Sequence, residues 1–181
     1  MISKLNTQDN NFSNDLEKLL AWESVANSDV NQTVYEIIEN IKQNGDSSLI
    51  HYTNKFDSLN IVNSEDLRLD TNDLKKAYED LTLEQRNALD SAAKRVKDYH
   101  LKQVQETWTY RDEFDNTLGQ KITPLDSVGL YVPGGKAAYP SSVLMNAIPA
   151  KVGGVENLIM VVPTPHGVIN NLVLAAAYIS C

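Results

Sequence analysis

The stretch that most constrains the fold reads Val128-Gly129-Leu130-Tyr131-Val132-Pro133-Gly134-Gly135. Its first five residues form a short apolar run rich in β-branched and aromatic types, which is typical of a buried strand. The Pro-Gly-Gly that follows lets the backbone turn sharply and approach a ligand without side-chain obstruction. The stretch therefore predicts a buried strand followed by a glycine turn, and that turn either binds a ligand or is purely structural.

The residues after this turn predict a helix, a second strand and a second helix. Ser141 or Ser142 is a candidate N-cap for a segment whose apolar residues recur at helical spacing until Pro149, which should end or kink the helix. Residues 157–162 predict a strand and residues 168–179 an apolar helix. Alternating strands and helices are typical of a parallel sheet that holds ligands at the carboxyl ends of its strands.

Upstream of this unit the sequence predicts helices and one hairpin. The helical patterns share apolar residues at i, i+3 and i+4 behind a capping or stop residue. The first two are a short helix around Leu16–Leu20 and a helix from Asp29 to Gly45 with Val30, Val34, Ile37, Ile38 and Ile41 inward. The other three follow Asp46, with Leu49, Tyr52 and Phe56 inward, Thr71, with Leu74, Ala77, Tyr78 and Leu81 inward, and Thr82, with Leu89, Ala92, Val96 and Tyr99 inward. Thr82 and Gln85 form a capping box. A short strand is predicted at Leu67–Leu69 and a β-hairpin from Trp108 to Ile122, where the period changes to two.

Composition separates two segments near Gln120. The chain has 181 residues, 42% of them hydrophobic, and a net charge of −8. From Lys121 onward three basic and two acidic residues remain, so the first 120 residues carry −9. We predict a charged, mainly helical region at 1–120 and an apolar, sheet-centred domain at 121–181. The acidic balance argues against nucleic acid and anionic membrane as partners, and a cytoplasmic protein acting on small molecules is expected.

The residues themselves point to no familiar catalytic motif. The three histidines, His51, His100 and His166, are far apart and none has a paired histidine at helical spacing, so a metal site within this chain is not predicted. A Gly-x-Ser-x-Gly elbow, a Walker loop and the Gly-x-Gly-x-x-Gly dinucleotide fingerprint are absent. His51 and His100 are predicted at the surface, and His166 is predicted as a turn residue rather than a catalyst. A single cysteine, Cys181, excludes an internal disulfide.

Two separated signatures nevertheless resemble the histidinol dehydrogenase family. The first is the Val128–Gly135 stretch followed by Ser142-Val143-Leu144-Met145 and Ile148-Pro149-Ala150, and the second is Gly45-Asp46 with Leu49, Tyr52 and Lys55-Phe56-Asp57. The resemblance runs from about Val30 to the last residue. It implies an α/β fold in which a helical N-terminal region leads into the first half of an incomplete Rossmann-like, aldehyde-dehydrogenase-like domain.

The resemblance also implies an activity and a cofactor site. Histidinol dehydrogenases oxidise L-histidinol to L-histidine through the aldehyde with two NAD+, as homodimers with one catalytic zinc per site. Their Leu-Tyr-Val/Ile-Pro-Gly-Gly tyrosine lies at the NAD site. Carried over, this role falls to Tyr131, with Pro133, Gly134 and Gly135 shaping the loop beside it.

The main departure from the family is length. The family's zinc ligands and its acid-base Glu-His pair lie beyond the point that matches Cys181, so neither catalytic nor metal-binding residues are expected in this chain. We expect the N-terminal part of a histidinol dehydrogenase, inactive alone, with an unpaired sheet edge and an exposed apolar face. The alternatives are a non-catalytic dimerising or nucleotide-contacting module, or part of a related zinc- and NAD-dependent polyol dehydrogenase.

Overall fold

The computed structural model of the protein describes residues 4–133 and 138–180, and for residues 21–28 it describes the backbone alone. The helices in this part of the chain are α1 (Phe12–Asn44), α2 (Asp46–Asp57), α3 (Thr71–Glu79), α4 (Leu83–His100), α5 (Pro140–Val152) and α6 (Asn171–Ser180). The strands are β1 (Trp108–Arg111), β2 (Thr117–Gln120), β3 (Ser127–Tyr131) and β4 (Asn157–Val161). The predicted α/β class is therefore confirmed.

The first helix is longer and more exposed than its sequence pattern predicted. The two helices expected around Leu16 and after Asp29 are one continuous helix, because Asp29 lies inside it and its carbonyl accepts a bond from Thr33 Oγ1 at 2.8 Å. Val30, Val34 and Ile38 were predicted to face the core, but all three are exposed. Propensity and pattern are weak guides here because burial depends on a neighbouring element, and the main one that α1 meets is α2.

The second helix begins at Asp46, which was predicted to be its N-cap, so that prediction is wrong: the N-cap is Gly45. The helix buries little. Gly45 separates it from α1 with φ 58° and ψ −136°, a conformation that favours glycine. Tyr52 is half-buried and its hydroxyl accepts a bond from Asn40 Nδ2 at 3.0 Å. The prediction that Leu49 and Phe56 point inward is wrong, since both side chains are exposed.

The next two helices are bounded by capping boxes. α3 is capped by Asp70 rather than by the predicted Thr71, and bonds from the Asp73 and Asn72 amides to the Asp70 carboxylate hold its pKa below the usual value. The capping box of Thr82 and Gln85 at the start of α4 is confirmed. The strand predicted at Leu67–Leu69 is wrong, because Ser64–Leu67 forms a 3-10 turn instead.

α4 presents a slightly different face from the one predicted. Leu89 is buried and Val96 packs on the core as expected, but Ala92 and Tyr99 are exposed and Ala93 packs on the core instead. The covered stripe of α4 therefore runs through Leu89, Ala93 and Val96 and is rotated slightly from the predicted one.

The predicted hairpin is confirmed and stands apart from the core. β1 and β2 pair antiparallel, with Tyr110 opposite Leu118, and every residue of both strands is exposed. The rings of Trp108 and Tyr110 stack on one face with centroids 6.2 Å apart. A Cβ at Gly119 would collide with the Trp108 carbonyl oxygen, so only glycine fits there.

β3, α5 and β4 form the predicted strand-helix-strand unit. The two strands pair in parallel, with Gly129 opposite Ile159 and Tyr131 opposite Val161. Their residues alternate between exposed and half-buried, so the expectation that β3 is fully buried is wrong: one face of the sheet is open. The expected unpaired edge and exposed apolar face are present among the described residues.

The ends of α5 differ from the prediction. The N-cap is Tyr139, and neither Ser141 nor Ser142 caps the helix, because Pro140 already occupies its first position. α5 also continues past Pro149 to Val152. The missing proline amide removes one bond close to the C-terminus of the helix, where Ala147 and Ile148 are buried and hold the segment in place.

One hydrophobic core joins the helices to the covered face of the sheet. Its buried side chains come mainly from α5 and α6, with Val132 contributed by the residue after β3 and Leu81 and Leu89 by the region before Gln120. Leu130, Leu158 and Met160 pack against this cluster from the strands. The domain boundary near Gln120 stays a prediction.

A hydrogen bond between α3 and α4 makes the free energy of unfolding depend on pH in the alkaline range. The Tyr78 hydroxyl donates to Asp90 Oδ2 at 2.8 Å. This bond, with burial and the Asp90 charge, raises the pKa of Tyr78. A raised pKa in the folded state means that the stabilisation is complete below the ordinary tyrosine pKa of about 10 and is lost as pH rises through the higher folded value.

We therefore expect the free energy of unfolding to fall as pH rises above the ordinary tyrosine pKa of about 10, and Tyr78→Phe to flatten that part of the profile because it removes the titrating group. Urea unfolding at a series of pH values measures this. Tyr99→Phe, at an exposed position of α4, is the matched control and should keep the alkaline slope. A Tyr78→Phe profile parallel to the parent's would contradict the assignment.

Candidate functional site

The predicted cofactor-binding residues lie where β3 ends. Val132 is fully buried and its amide donates to the Val161 carbonyl at 3.0 Å, which fixes the backbone at this edge of the sheet. The neighbouring Tyr131 side chain is 66% exposed, on the open face of the sheet. Pro133 is exposed as well, and Gly134 and Gly135 lie outside the described residues. Tyr131 is thus a surface aromatic anchored by a buried neighbour, not a core residue.

α5 starts at the same edge. Its first turn has no side-chain cap, and the amides of Ser142 and Val143 approach the Tyr139 carbonyl at 3.0 and 3.4 Å. Tyr139 itself is 43% exposed and places a second aromatic side chain at the start of this helix. The sequence analysis did not single it out, although Pro140 at the first helical position is a signal that would have located the helix start.

The loop after β4 reaches the same edge of the sheet. A short 3-10 turn at Pro165–Gly167 contains His166 with φ 58° and ψ 23°, in the left-handed region. The Gly167 amide donates to the Thr164 carbonyl at 2.8 Å and closes the turn. Histidine tolerates this region better than most residues, and the His166 side chain is exposed. The structure thus places His166 in a turn, and the absence of a catalytic role stays a prediction.

The histidines do not converge. His51 is exposed beside the Tyr52 ring, and His100 Nδ1 lies 2.6 Å from Gln103 Oε1 at the end of α4. Among the described side chains, those of residues 4–20, 29–133 and 138–180, no group of three or more His, Cys, Asp or Glu is placed to hold a metal ion. The same ranges contain no helix long and apolar enough to cross a bilayer.

A separate cleft of about 420 Å³ lies at the opposite end of the unit, between the C-terminal ends of α4, α5 and α6. Lys94, Lys97 and Lys151 line it. Lys94 pairs with Asp98, and Lys151 donates to the Glu156 carbonyl at 3.1 Å. Cations at helix C-termini are stabilised by the helix dipole, so these lysines have a structural explanation.

Comparison with known proteins decides the family. The family model described as histidinol dehydrogenase matches residues 21–180. The chain belongs to the histidinol dehydrogenase family. This confirms the resemblance drawn from the Val128–Gly135 stretch and from the upstream Gly45-Asp46 signature, and it extends the match nine residues further towards the N-terminus than the start near Val30 that those signatures indicated.

Curated members of the family match almost the whole chain. A histidinol dehydrogenase of Pseudomonas fluorescens (strain Pf0-1) is 53% identical over 99% of this chain and 41% of its own length. Those of Hydrogenovibrio crunogenus and Neisseria meningitidis serogroup A are each 52% identical, over 98% and 99% of this chain and 41% and 42% of their own lengths. The chain therefore spans about two fifths of these relatives, and it corresponds to their N-terminal part.

A solved structure has the same arrangement. The crystal structure of histidinol dehydrogenase from Elizabethkingia anophelis is similar to this chain with a TM-score of 0.74 and 27% identity, covering 83% of this chain and 34% of that one. The α/β architecture is thus that of a histidinol dehydrogenase. The assignment of Tyr131, Pro133, Gly134 and Gly135 to a cofactor site stays a prediction.

Proposed function

We propose that this chain is the cofactor-side part of a histidinol dehydrogenase, which oxidises L-histidinol to L-histidine through the aldehyde with two NAD+. The observation that carries the proposal is the 53% identity to a curated histidinol dehydrogenase along 99% of the chain. The complete protein is proposed to be a cytoplasmic homodimer in which β3, α5, β4 and α6 begin a Rossmann-like domain.

The edge of the sheet at β3 and α5 suits NAD. NAD accepts the hydride when bound. The exposed Tyr131 ring offers an aromatic face to a cofactor ring and its hydroxyl a hydrogen bond. The start of α5 lies at the same edge, and the positive end of its helix dipole favours the negatively charged pyrophosphate. Pro133, Gly134 and Gly135 connect these two parts, and Tyr139 adds a second aromatic side chain at the helix start.

Zinc does not fit the residues described. No suitable cluster of ligands exists among the described side chains, so no chemical step of this chain is assigned to the metal. We propose that the zinc ligands, the acid-base pair and most L-histidinol contacts belong to the portion that longer family members carry beyond this match.

The proposal is tested by comparing the 181-residue chain with a single polypeptide in which the chain is followed by the remaining portion of the Pseudomonas fluorescens relative. The chain alone should hold no stoichiometric zinc and should show no histidinol-dependent NAD+ reduction. The fused protein should bind stoichiometric zinc and should reduce NAD+ in the presence of L-histidinol. Assays in a host lacking its own enzyme exclude contamination. Turnover by the chain alone would overturn the proposal. A folded, zinc-loaded fused protein that does not oxidise L-histidinol would also overturn it, and would favour the polyol dehydrogenase or non-catalytic alternatives.

A further inference from the structure

The turn after β4 lies at the same sheet edge as the candidate cofactor residues. Val161 ends β4 directly opposite Tyr131 at the end of β3, so the chain that follows Val161 starts beside Tyr131. Parallel sheets bind their ligands at this end of the strands. The 3-10 turn Pro165–Gly167 belongs to this segment. The position of the turn therefore affects the space next to Tyr131.

The turn has a backbone shape that needs support from the rest of the fold. His166 and Gly167 both have positive φ, at 58° and 71°. Glycine adopts such angles freely, but a residue with a side chain keeps them only where its surroundings hold it there. The bond from the Gly167 amide to the Thr164 carbonyl closes the turn without fixing its position on the protein. Contacts from other segments are therefore expected to hold the turn in place.

That support comes from the N-terminal helices. α2 packs against the Pro165–Gly167 turn, and this is the main contact that a described helix of the α1–α2 pair makes with the strand-helix unit. Leu59, two residues after α2, is half-buried. A Cβ added at Gly167 would lie 3.5 Å from Leu59 Cδ2, so the leucine side chain lies directly against this glycine.

Asn54 fixes residues 58–61, the segment that follows α2. Its Nδ2 donates to the Ile61 carbonyl at 2.9 Å, and its Oδ1 accepts from the Ile61 amide at 2.8 Å. Further along, Ser64 Oγ donates to Asp46 Oδ2 at 2.6 Å, so the chain after α2 runs back towards the start of that helix. Two side chains of α2 thus hold this segment, and Asn54 makes the two bonds nearest to the turn.

We propose that Asn54 is a positioning residue of the NAD site. It holds residues 58–61 on α2, and Leu59 in that segment supports the Pro165–Gly167 turn. The supported turn then shapes the space beside Tyr131. Coupling between distant residues needs a continuous set of packed side chains and hydrogen bonds, and these residues supply one. The inference rests on the proposed function, because it takes this sheet edge to be the NAD site.

Asn40 provides a matched control on α1. It is also half-buried, and its Nδ2 donates to the Tyr52 hydroxyl at 3.0 Å and to the Glu36 carbonyl at 2.9 Å. These bonds lie within α1 and between α1 and α2, and they do not involve residues 58–61. Asn40→Leu therefore removes two side-chain hydrogen bonds from the same helix pair without touching the segment that supports the turn.

Amide chemical shifts of the 181-residue chain test the link itself. Asn54→Leu loses both hydrogen bonds at similar side-chain volume and should shift the His166 and Gly167 resonances. Leu59→Ala keeps the Asn54 bonds, removes the contact with Gly167 and should shift the same two resonances. Asn40→Leu should leave them in place. Unmoved resonances in either Asn54→Leu or Leu59→Ala, or an equal shift in Asn40→Leu, would overturn the proposal.

The NAD+ affinity of the fused protein described above tests the consequence. Asn54→Leu and Leu59→Ala should each weaken NAD+ binding roughly two- to thirtyfold in titration calorimetry, the range for residues that act through their neighbours. The zinc content, and the KM for L-histidinol at saturating NAD+, should stay as in the parent. Asn40→Leu should keep the parental NAD+ affinity.

The outcomes separate this inference from the proposed function. Parental NAD+ affinity in folded Asn54→Leu and Leu59→Ala variants of a protein that oxidises L-histidinol would overturn the inference and leave the function intact. Weaker NAD+ binding by these variants of a fused protein that does not oxidise L-histidinol would support the inference and overturn the function. An equal loss of affinity in Asn40→Leu would reduce Asn54 to a structural role and refute the proposal. If Asn54→Leu fails to fold, Leu59→Ala decides.

Discussion

Replacing Leu144 with alanine should lower the free energy of unfolding by about 2–5 kcal/mol, the largest stability effect we expect from one substitution in this chain. Leu144 is 2% exposed and belongs to the core that α5 shares with α6 and the covered face of the sheet. Truncation removes its apolar contacts and leaves a cavity, which close-packed neighbours fill only in part. Urea unfolding followed by circular dichroism gives the difference.

The adjacent residue provides the control. Met145 is on the same helix but is 57% exposed, so Met145→Ala should change stability by less than about 0.5 kcal/mol. Similar losses for the two variants would mean that α5 does not present the face seen here.

Replacing Tyr131 with alanine should weaken NAD+ binding by the complete enzyme roughly five- to hundredfold, equivalent to about 1–3 kcal/mol, with much smaller effects on L-histidinol and zinc. The loss reflects an aromatic contact and one hydrogen bond. The sequence left open whether Tyr131 closes the core. In the 181-residue chain its 66% exposure predicts instead that the substitution leaves the melting temperature nearly unchanged.

Two further variants sharpen this test. Tyr131→Phe keeps the ring and loses only the hydroxyl, so it should recover most of the affinity. Tyr110→Ala removes a tyrosine of similar exposure on the hairpin and should leave NAD+ affinity as it was. Titration calorimetry with NAD+, beside a thermal melt, measures both quantities. A folded Tyr131→Ala variant with parental NAD+ affinity would remove this residue from the cofactor site.

Local chemistry determined much of this structure. The capping box of Thr82 and Gln85, the period-two hairpin and the order of strand, helix and strand after Ser127 all follow from residues close together in the chain. Caps and turns need only near neighbours, so their signals survive in a single sequence. The Val128–Gly135 stretch also indicated the family.

Only the tertiary structure decided which apolar side chains are covered. Val30, Val34 and Phe56 have the same helical spacing as buried residues elsewhere, yet they are exposed because no described element packs over them. Tyr131 and Ile159 face solvent while Leu130 and Leu158 face the core. The alternation along each strand was visible in advance, but burial is a property of the partner surface. Residues close together in the chain therefore determine the strands and their order, whereas the packing of other elements decides which side of each strand is covered.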